Sequence, residues 1–255
     1  MNIRIKNVLL IGSVVASVIL SSCKKDDDDS ASSSGTTPTV VETTGTFTDS
    51  RDGKTYKWVK IGEQIWMAED LAYTGDDIRH ILSDVEWENN SSCDGWCYYN
   101  NSDSLGKIYG VLYQWEAAKK ACPEGWHLST FDEWNESTTY MMRNGYSCDG
   151  DAESGRMLAK ALATDNGWDI SDHQYAVGNT DYPKYRNKSG FSARPTGKRS
   201  DNGSFWNLGQ VGFFWSEKEK EDDDIWYWSI STNNYNTIQY YANKRCGEAV
   251  RCVKD

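Results

Sequence analysis

All 12 tryptophans of this 255-residue chain lie after residue 47, and the stretch just before that point can build no core. Residues 24–46 read KKDDDDSASSSGTTPTVVETTGT, with almost no apolar side chain before Val40 and Val41. Such a segment buries too little surface to offset its chain entropy, so a disordered tether is expected. Its Ser, Gly and Thr content gives a flexible chain with a reach on the order of 25 Å. The roughly 209 residues of 47–255 suffice for one good-sized core and are short for two. No internal repeat and no second linker divides them. With 15 tyrosines and 21 glycines in the chain, the body reads as loop-rich and pinned by aromatic anchors.

The N-terminus follows another pattern. Arg4 and Lys6 precede an uncharged apolar run at 8–20, and Leu20, Ser21, Ser22 and Cys23 close it. A basic start, a short apolar stretch and small residues before a cleavage point make a secretory signal. The run is short for a bilayer span, which takes ~20 residues. Leu-Ser-Ser-Cys resembles the lipobox of bacterial lipoproteins. The resemblance implies loss of 1–22 and acylation of Cys23 as the first mature residue, with lipid as the sole contact with the membrane. Several acyl chains hold firmly where one is marginal. Lys25-Asp26-Asp27 resembles the export tag of surface-exposed lipoproteins in one large Gram-negative group, although an acidic run is also an ordinary solvated spacer. The expected location is the outer membrane, lipid-anchored and facing outward.

Formal net charge is −11, and −13 once Arg4 and Lys6 leave with the signal. An acidic chain lacks the basic face that nucleic acid requires and suits a soluble, outward-facing body. Six cysteines remain after Cys23: Cys93, Cys97, Cys122, Cys148, Cys246 and Cys252. An even number in an exported chain implies a disulfide framework, with the pairing left open by spacing alone. Zinc is disfavoured, because neither C-x-x-C nor a nearby His pair occurs.

Local patterns give a coarse structure. Residues 56–61 (YKWVKI) alternate and are rich in strand formers, Gly62-Glu63-Gln64 turns them, and 64–67 returns as a hairpin. Residues 112–121 (LYQWEAAKKA) read as a helix ended by Cys122-Pro123 and Gly125. A short extended piece at 126–129 leads to Thr130-Phe131-Asp132-Glu133, a capping box that opens a second helix ending at Asn144-Gly145. Phe131, Trp134, Thr138 and Met141 share one face of it. A shorter helix is expected at 155–162, then a polar irregular region at 169–199. Strand-like pieces follow at 211–216, 225–231, 237–241 and 248–253. This order is α+β.

Several unlike phrases then fall in a set order: TDSRDGKTYKWVKIGEQIWMAEDL (48–71), YGVLYQWEAA (109–118), CPEGWHLSTFDEW (122–134), GFSA (190–193), FFWSEKE (213–219) and AVRCVKD (249–255). Together they resemble the Fibrobacter succinogenes major paralogous domain family over nearly all of 47–255. That family is similar to the C-type lectin-like fold. The resemblance implies an α+β, disulfide-stapled domain, loop-rich, with two main helices, small antiparallel sheets and its ends paired in one sheet. It also implies a Cys122–Cys252 bond, which closes a loop long enough to be worth ~4–5 kcal/mol in the chain-entropy model. Cys93 with Cys97, and Cys148 with Cys246, are the expected pairs for the rest. The sequence departs from the family at Ser129, usually proline, and at Asp70, usually asparagine. Phe214-Trp215 followed by SEKEKEDDD also departs from it. The family carries no established activity to transfer.

The chemistry points to binding rather than catalysis. No G-x-S-x-G, H-E-x-x-H, P-loop or dinucleotide fingerprint occurs. Of His80, His127 and His173, His127 in the GWHLS phrase reads as a structural, hydrogen-bonded side chain. Cys93 and Cys97 have three residues between them, a spacing that does not match the redox or copper pair of the related formylglycine-generating enzymes. No cofactor is expected. Calcium would draw on 221–224 (EDDD) or on Asn100, Asn101 and Asp103, but the Glu-Pro-Asn type tripeptide of calcium-dependent lectins is missing. The candidate ligand-binding set is Trp226, Trp228, Tyr235, Tyr240 and Tyr241, interleaved with Asn233, Asn234, Asn236 and Asn243. Flat rings beside amides suit sugar faces and hydroxyls, and also protein recognition. Alternate strand positions would face the core whatever the function. The expectation is a non-catalytic extracellular domain that binds a glycan or a protein, as in adhesion. A retroelement-diversified surface receptor is a sharper version. A carbohydrate-active enzyme using carboxylates among Asp169, Asp172 and Asp181, or a purely structural envelope protein, is the alternative.

Overall fold

The computed structural model describes residues 43–149 and 157–255. The expected signal, Cys23 and nearly all of the tether lie outside the described residues, as do the first two residues of the short helix expected at 155–162. The first strand begins at Thr44, inside the span read as tether. It pairs along its whole length with the second strand, from Thr44↔Val59 to Thr48↔Thr55. Threonines alternating with Gly45 and Phe47 supply that strand, and Phe47 stacks 4.3 Å from Trp126.

The hairpin expected from YKWVKI forms between Thr55–Ile61 and Gln64–Met67, with Ile61 facing Gln64. A two-residue loop of this kind favours positive φ at its first position, and Gly62 supplies 64°. The last strand, Cys252–Lys254, lies between this hairpin and Trp126–Leu128, completing a five-stranded antiparallel sheet. The N- and C-terminal parts of the domain therefore meet in one sheet. Cys122 and Cys252 are bonded across it, their Cα atoms 5.9 Å apart.

A second antiparallel sheet contains the long hairpin Val211–Glu221 and Asp224–Ser231, with Ile238–Asn243 on its edge. Its strands partition the interior. Phe213, Trp215, Ile225 and Tyr227 point into one core with Tyr113, Trp115 and Leu71. Phe214, Trp228 and Ile230 point into the other with Trp66, Trp134 and Phe191. Strand side chains alternate between faces, so burial on both faces makes FFW and IWYWSI nearly all apolar. The structure is thus mixed, with small antiparallel sheets, few helices and one disulfide among the described residues.

The helix Phe131–Arg143 opens with the expected capping box, Thr130 Oγ1 accepting from Glu133 N and the Glu133 carboxylate from Thr130 N. It buries Trp134, Ser137, Thr138 and Met141. Ser129, one of the departures, is fully buried and accepts the Trp134 indole N–H at 2.9 Å.

Other expectations are corrected. The helix read at 112–121 begins only at Trp115, because Leu112–Tyr113 is a strand that pairs with Gly95–Cys97. Short helices at Asp84–Glu88 and Asp103–Tyr109 add to the two expected main ones. Cys93, Cys97, Cys148 and Cys246 are buried free thiols rather than two further bridges. Cys93 sits at a left-handed backbone position, its thiol near the Asn90 and Ser91 carbonyls. Cys97 packs instead with Ile81, Trp87 and Leu112. Cys246 belongs to the first core beside Glu248, whereas Cys148 lies near Lys160 and Asp181. Burial holds all four thiols protonated, which makes them unreactive.

Candidate functional site

The turn between the last two strands of the second sheet gathers the asparagine-rich segment. It leaves the sheet at Ser231, whose hydroxyl accepts Asn233 N–H. Asn234 Oδ1 then accepts Asn236 N–H at 2.8 Å, an Asx turn that side chains of this length form readily. Buried Thr232 anchors one end through its N–H to Gln210 O, and Tyr235 O accepts Ala159 N–H at the other. The turn is therefore fixed by its own amides and by two distant segments.

Two concavities flank it. One, of about 530 Å³, lies between the turn and the helix Phe131–Arg143, with Asn135, Thr138, Met142, Trp228, Asn236 and Gln239 among its walls. The other, of about 450 Å³, runs toward His173 and Tyr175 and includes Asn233 and Tyr235. Asn234 and Asn236 line both, so the two adjoin at the turn and are together called the trough. The lining of the first concavity carries no charged side chain. Gln239 Nε2 donates to Asn135 Oδ1 at 2.7 Å, tying the edge strand to the helix across it.

Two residues of this lining each carry a buried polar atom with no partner among the described residues: the Trp228 indole Nε1–H and Asn236 Oδ1. One can only donate and the other can only accept. Four other buried indoles are satisfied. Trp66 donates to Gln64, Trp115 to Ser216 O, Trp134 to Ser129 and Trp215 to Tyr113 O. Trp87 is also unpaired but does not line the trough. An unmade hydrogen bond on a buried group costs about 1–3 kcal/mol, so two complementary ones on residues of one lining leave an unmet demand.

The expected binding residues separate into distinct places. Trp228 is only 4% exposed and stacks on Trp134, centroids 5.3 Å apart, so it is a core ring and the pocket's floor rather than an exposed platform. Trp226 is half-buried against Phe131 and Tyr241 and lines neither concavity. Tyr240 and Tyr241 stack on each other at 4.6 Å on the outer strand, away from the trough, with Lys220 over Tyr241. Tyr235 and the asparagines 233, 234 and 236 do line it. Sequence reading missed the opposite wall, since nothing local links Asn135 or Leu158 to residues 234–239. The one available signal was polar Asn135 beside the buried Trp134.

Several of the remaining candidates make contacts within the fold. Asp181 pairs with fully buried Lys160 and also accepts Tyr175 N–H, which pins the loop at 173–182. Asp169 N–H bonds Gly209 O. His127 bridges Asp255 and Glu133 at 2.7 and 2.8 Å. Burial opposes its protonation, but these two bonds outweigh it and raise its pKa. Asp223 pairs with Lys244, and Asn101 Nδ2 donates to Leu82 O. Among the described residues, no group of three or more His, Cys, Asp or Glu is placed to hold a metal, and no helix is long and apolar enough to cross a membrane.

The family model described as Fibrobacter succinogenes major domain matches residues 59–254, and the chain belongs to that family. No curated protein matches the chain, and no solved structure matches it.

Proposed function

We propose that the protein is a lipid-anchored, outward-facing binding domain whose trough beside the 232–237 turn takes an uncharged, hydroxyl-rich ligand, a glycan. The observation that carries this reading is the pair of buried, unpartnered atoms, Trp228 Nε1 and Asn236 Oδ1, on two residues that line one pocket. A sugar hydroxyl both donates and accepts, so one or two adjacent hydroxyls meet both needs. The amides of Asn135, Asn234 and Gln239 offer further hydrogen bonds, and Met142 and Leu158 offer apolar contact for a ring face. The continuation toward Tyr175 and Tyr235 suits a chain longer than one residue. The joined chain ends, the loop-rich body and the Cys122–Cys252 bond support a C-type lectin-like arrangement. The lipobox-like Leu-Ser-Ser-Cys supports anchoring at Cys23 on the outer membrane.

The test is a glycan array probed with the Cys23→Ser protein, which should leave the membrane fraction. Neutral oligosaccharides are expected as hits. Asn236→Ala and Gln239→Ala should each lower affinity about tenfold, the equivalent of one good hydrogen bond. Hits unaffected by both substitutions, or no glycan hits at all, would remove the glycan reading. A Cys23→Ser protein that stays membrane-bound would remove the anchor.

A further inference from the structure

A second concavity, on residues separate from the turn, has opposite chemistry. It measures about 390 Å³ and lies between the second strand, the Asp103–Tyr109 helix and Arg194. It shares no lining residue with the trough beside the turn.

Asp70 is part of its lining, and its side chain is only 3% exposed. Asp70 Oδ1 accepts the Arg251 Nε–H at 2.7 Å. Arg251 is itself fully buried and gives its other donors to the carbonyls of Met67, Phe191 and Ser192. The guanidinium thus spends four of its five N–H groups on these partners, and Asp70 Oδ2 has no partner among the described residues. A buried carboxylate oxygen in this state calls for a donor. Tyr56 stands beside it, its hydroxyl oxygen accepting Ala72 N–H at 3.2 Å.

The rim is cationic. Lys54, Lys107 and Arg194 line it and are all exposed. Lys54 gives one proton to Ala72 O, and Arg194 reaches Ile108 O through one nitrogen, so each keeps further donors. Facing them is Glu69, whose Oε2 already accepts Lys57 N–H. Asp70 is balanced from behind by Arg251. Three cations at one mouth stand out on a chain whose net charge is −11. A local field of that sign draws anions even on an acidic protein. Close packing shapes the wall between rim and floor: a Cβ on Gly106 would meet the Tyr98 ring at 2.3 Å.

We propose that this cleft binds a polyhydroxy carboxylate of sugar size, a uronic acid, with a hydroxyl donating to Asp70 Oδ2 and the carboxylate held at the rim by Lys107 and Arg194. A hydroxyl answers the acceptor at the floor. A carboxylate answers the cations at the mouth. A neutral sugar satisfies only the first, and a simple carboxylate only the second.

The experiment is calorimetric titration of the Cys23→Ser chain with glucuronate, galacturonate, glucose and acetate at two salt concentrations. One or both uronates should bind at least about tenfold more tightly than glucose or acetate, and added salt should weaken them. The Lys107→Gln/Arg194→Gln double variant alters exposed side chains only. It should lose about tenfold or more at an unchanged melting temperature. Asp70→Asn keeps an acceptor for Arg251 but turns the free position into an N–H₂ donor, to which a hydroxyl can still accept, so it should weaken uronate binding less than the double variant does. Asn236→Ala, on the other concavity, should leave it intact. Equal binding of acetate, no uronate binding, or an unaffected double variant would each overturn the assignment. Loss with Asn236→Ala would place uronates in the trough instead.

Discussion

The strand Asp224–Ser231 and the turn after it are neighbours in the chain and both read as binding candidates, yet they do different physical work. Trp226 and Trp228 on the strand read in sequence as candidate sugar platforms, with one face of the strand expected in the core. In the fold, Ile225 and Tyr227 fill one core, while Trp228 and Ile230 fill the other. Only Trp226 keeps substantial exposure, and it rests on Phe131. The turn, whose tyrosine and asparagines read in sequence as a binding segment, does line both halves of the trough. An aromatic ring on a strand is core or surface according to what covers its face, which local sequence does not report. A short amide-rich turn has no large apolar surface to bury, so its side chains stay available.

Substitutions can break this contrast. The largest effect is expected at the strand: Trp228→Ala removes a ring stacked between Trp134 and the pocket and should cost about 3–5 kcal/mol, read by denaturant unfolding. A cost below about 1 kcal/mol would mean that Trp228 is not a core residue.

A smaller effect comes from pH. Glu248 lies beneath the same sheet, near Tyr227, Cys246 and Lys198, fully buried with neither carboxyl oxygen partnered among the described residues. Burial pushes its pKa up to about 8, against the pull of Lys198. The folded state then holds a proton that the unfolded chain releases near the ordinary Glu value. Stability is fully present below that value and falls as pH rises toward 8. His127, raised by its partners, works in the same direction: its contribution is present at low pH and lost as pH rises through its folded pKa. The melting temperature should therefore drop between about pH 5 and pH 8. Glu248→Gln should flatten the slope more than His127→Gln, which acts on a half-exposed ring. A flat profile in the unsubstituted protein would contradict the buried, unpaired Glu248.

The smallest stability effect is expected at the edge. Tyr235→Ala and Tyr240→Ala, at 41% and 53% exposure, should each change stability by no more than about 0.5 kcal/mol. They should also separate from each other. Tyr235 lines the trough and its loss should weaken ligand binding, whereas Tyr240 lies outside it and its loss should not. Equal effects on binding would move the site onto the outer face of the strand.

Features with a local cause were legible in the sequence. The Thr130–Glu133 capping box and the Gly62-Glu63 hairpin rest on contacts within a few residues, and both stand as read. The Cys122–Cys252 bond spans 130 residues and became legible only through the family phrases. The start of the 115–121 helix was misplaced because Leu112 and Tyr113 continue its apolar pattern, while their backbone is taken up by Gly95–Cys97 and by Glu248. The tyrosine and asparagine turn was legible as a candidate from composition. Its helical wall and the charged cleft at Asp70 were not, because Asn135 meets Gln239 across 104 residues and Arg251 meets Asp70 across 181.

The central claim is that a ligand answers the unpaired Trp228 indole N–H. The direct measurement is the ¹⁵N–¹H spectrum of the tryptophan indoles, with the Trp228 signal assigned by its disappearance in Trp228→Phe. On titration with a glycan that the array identifies, the Trp228 indole proton should shift downfield and exchange more slowly with solvent, because it gains an acceptor. Saturated binding that leaves the Trp228 signal unmoved while that of Trp226 shifts would contradict the account and place recognition on the other side of the strand.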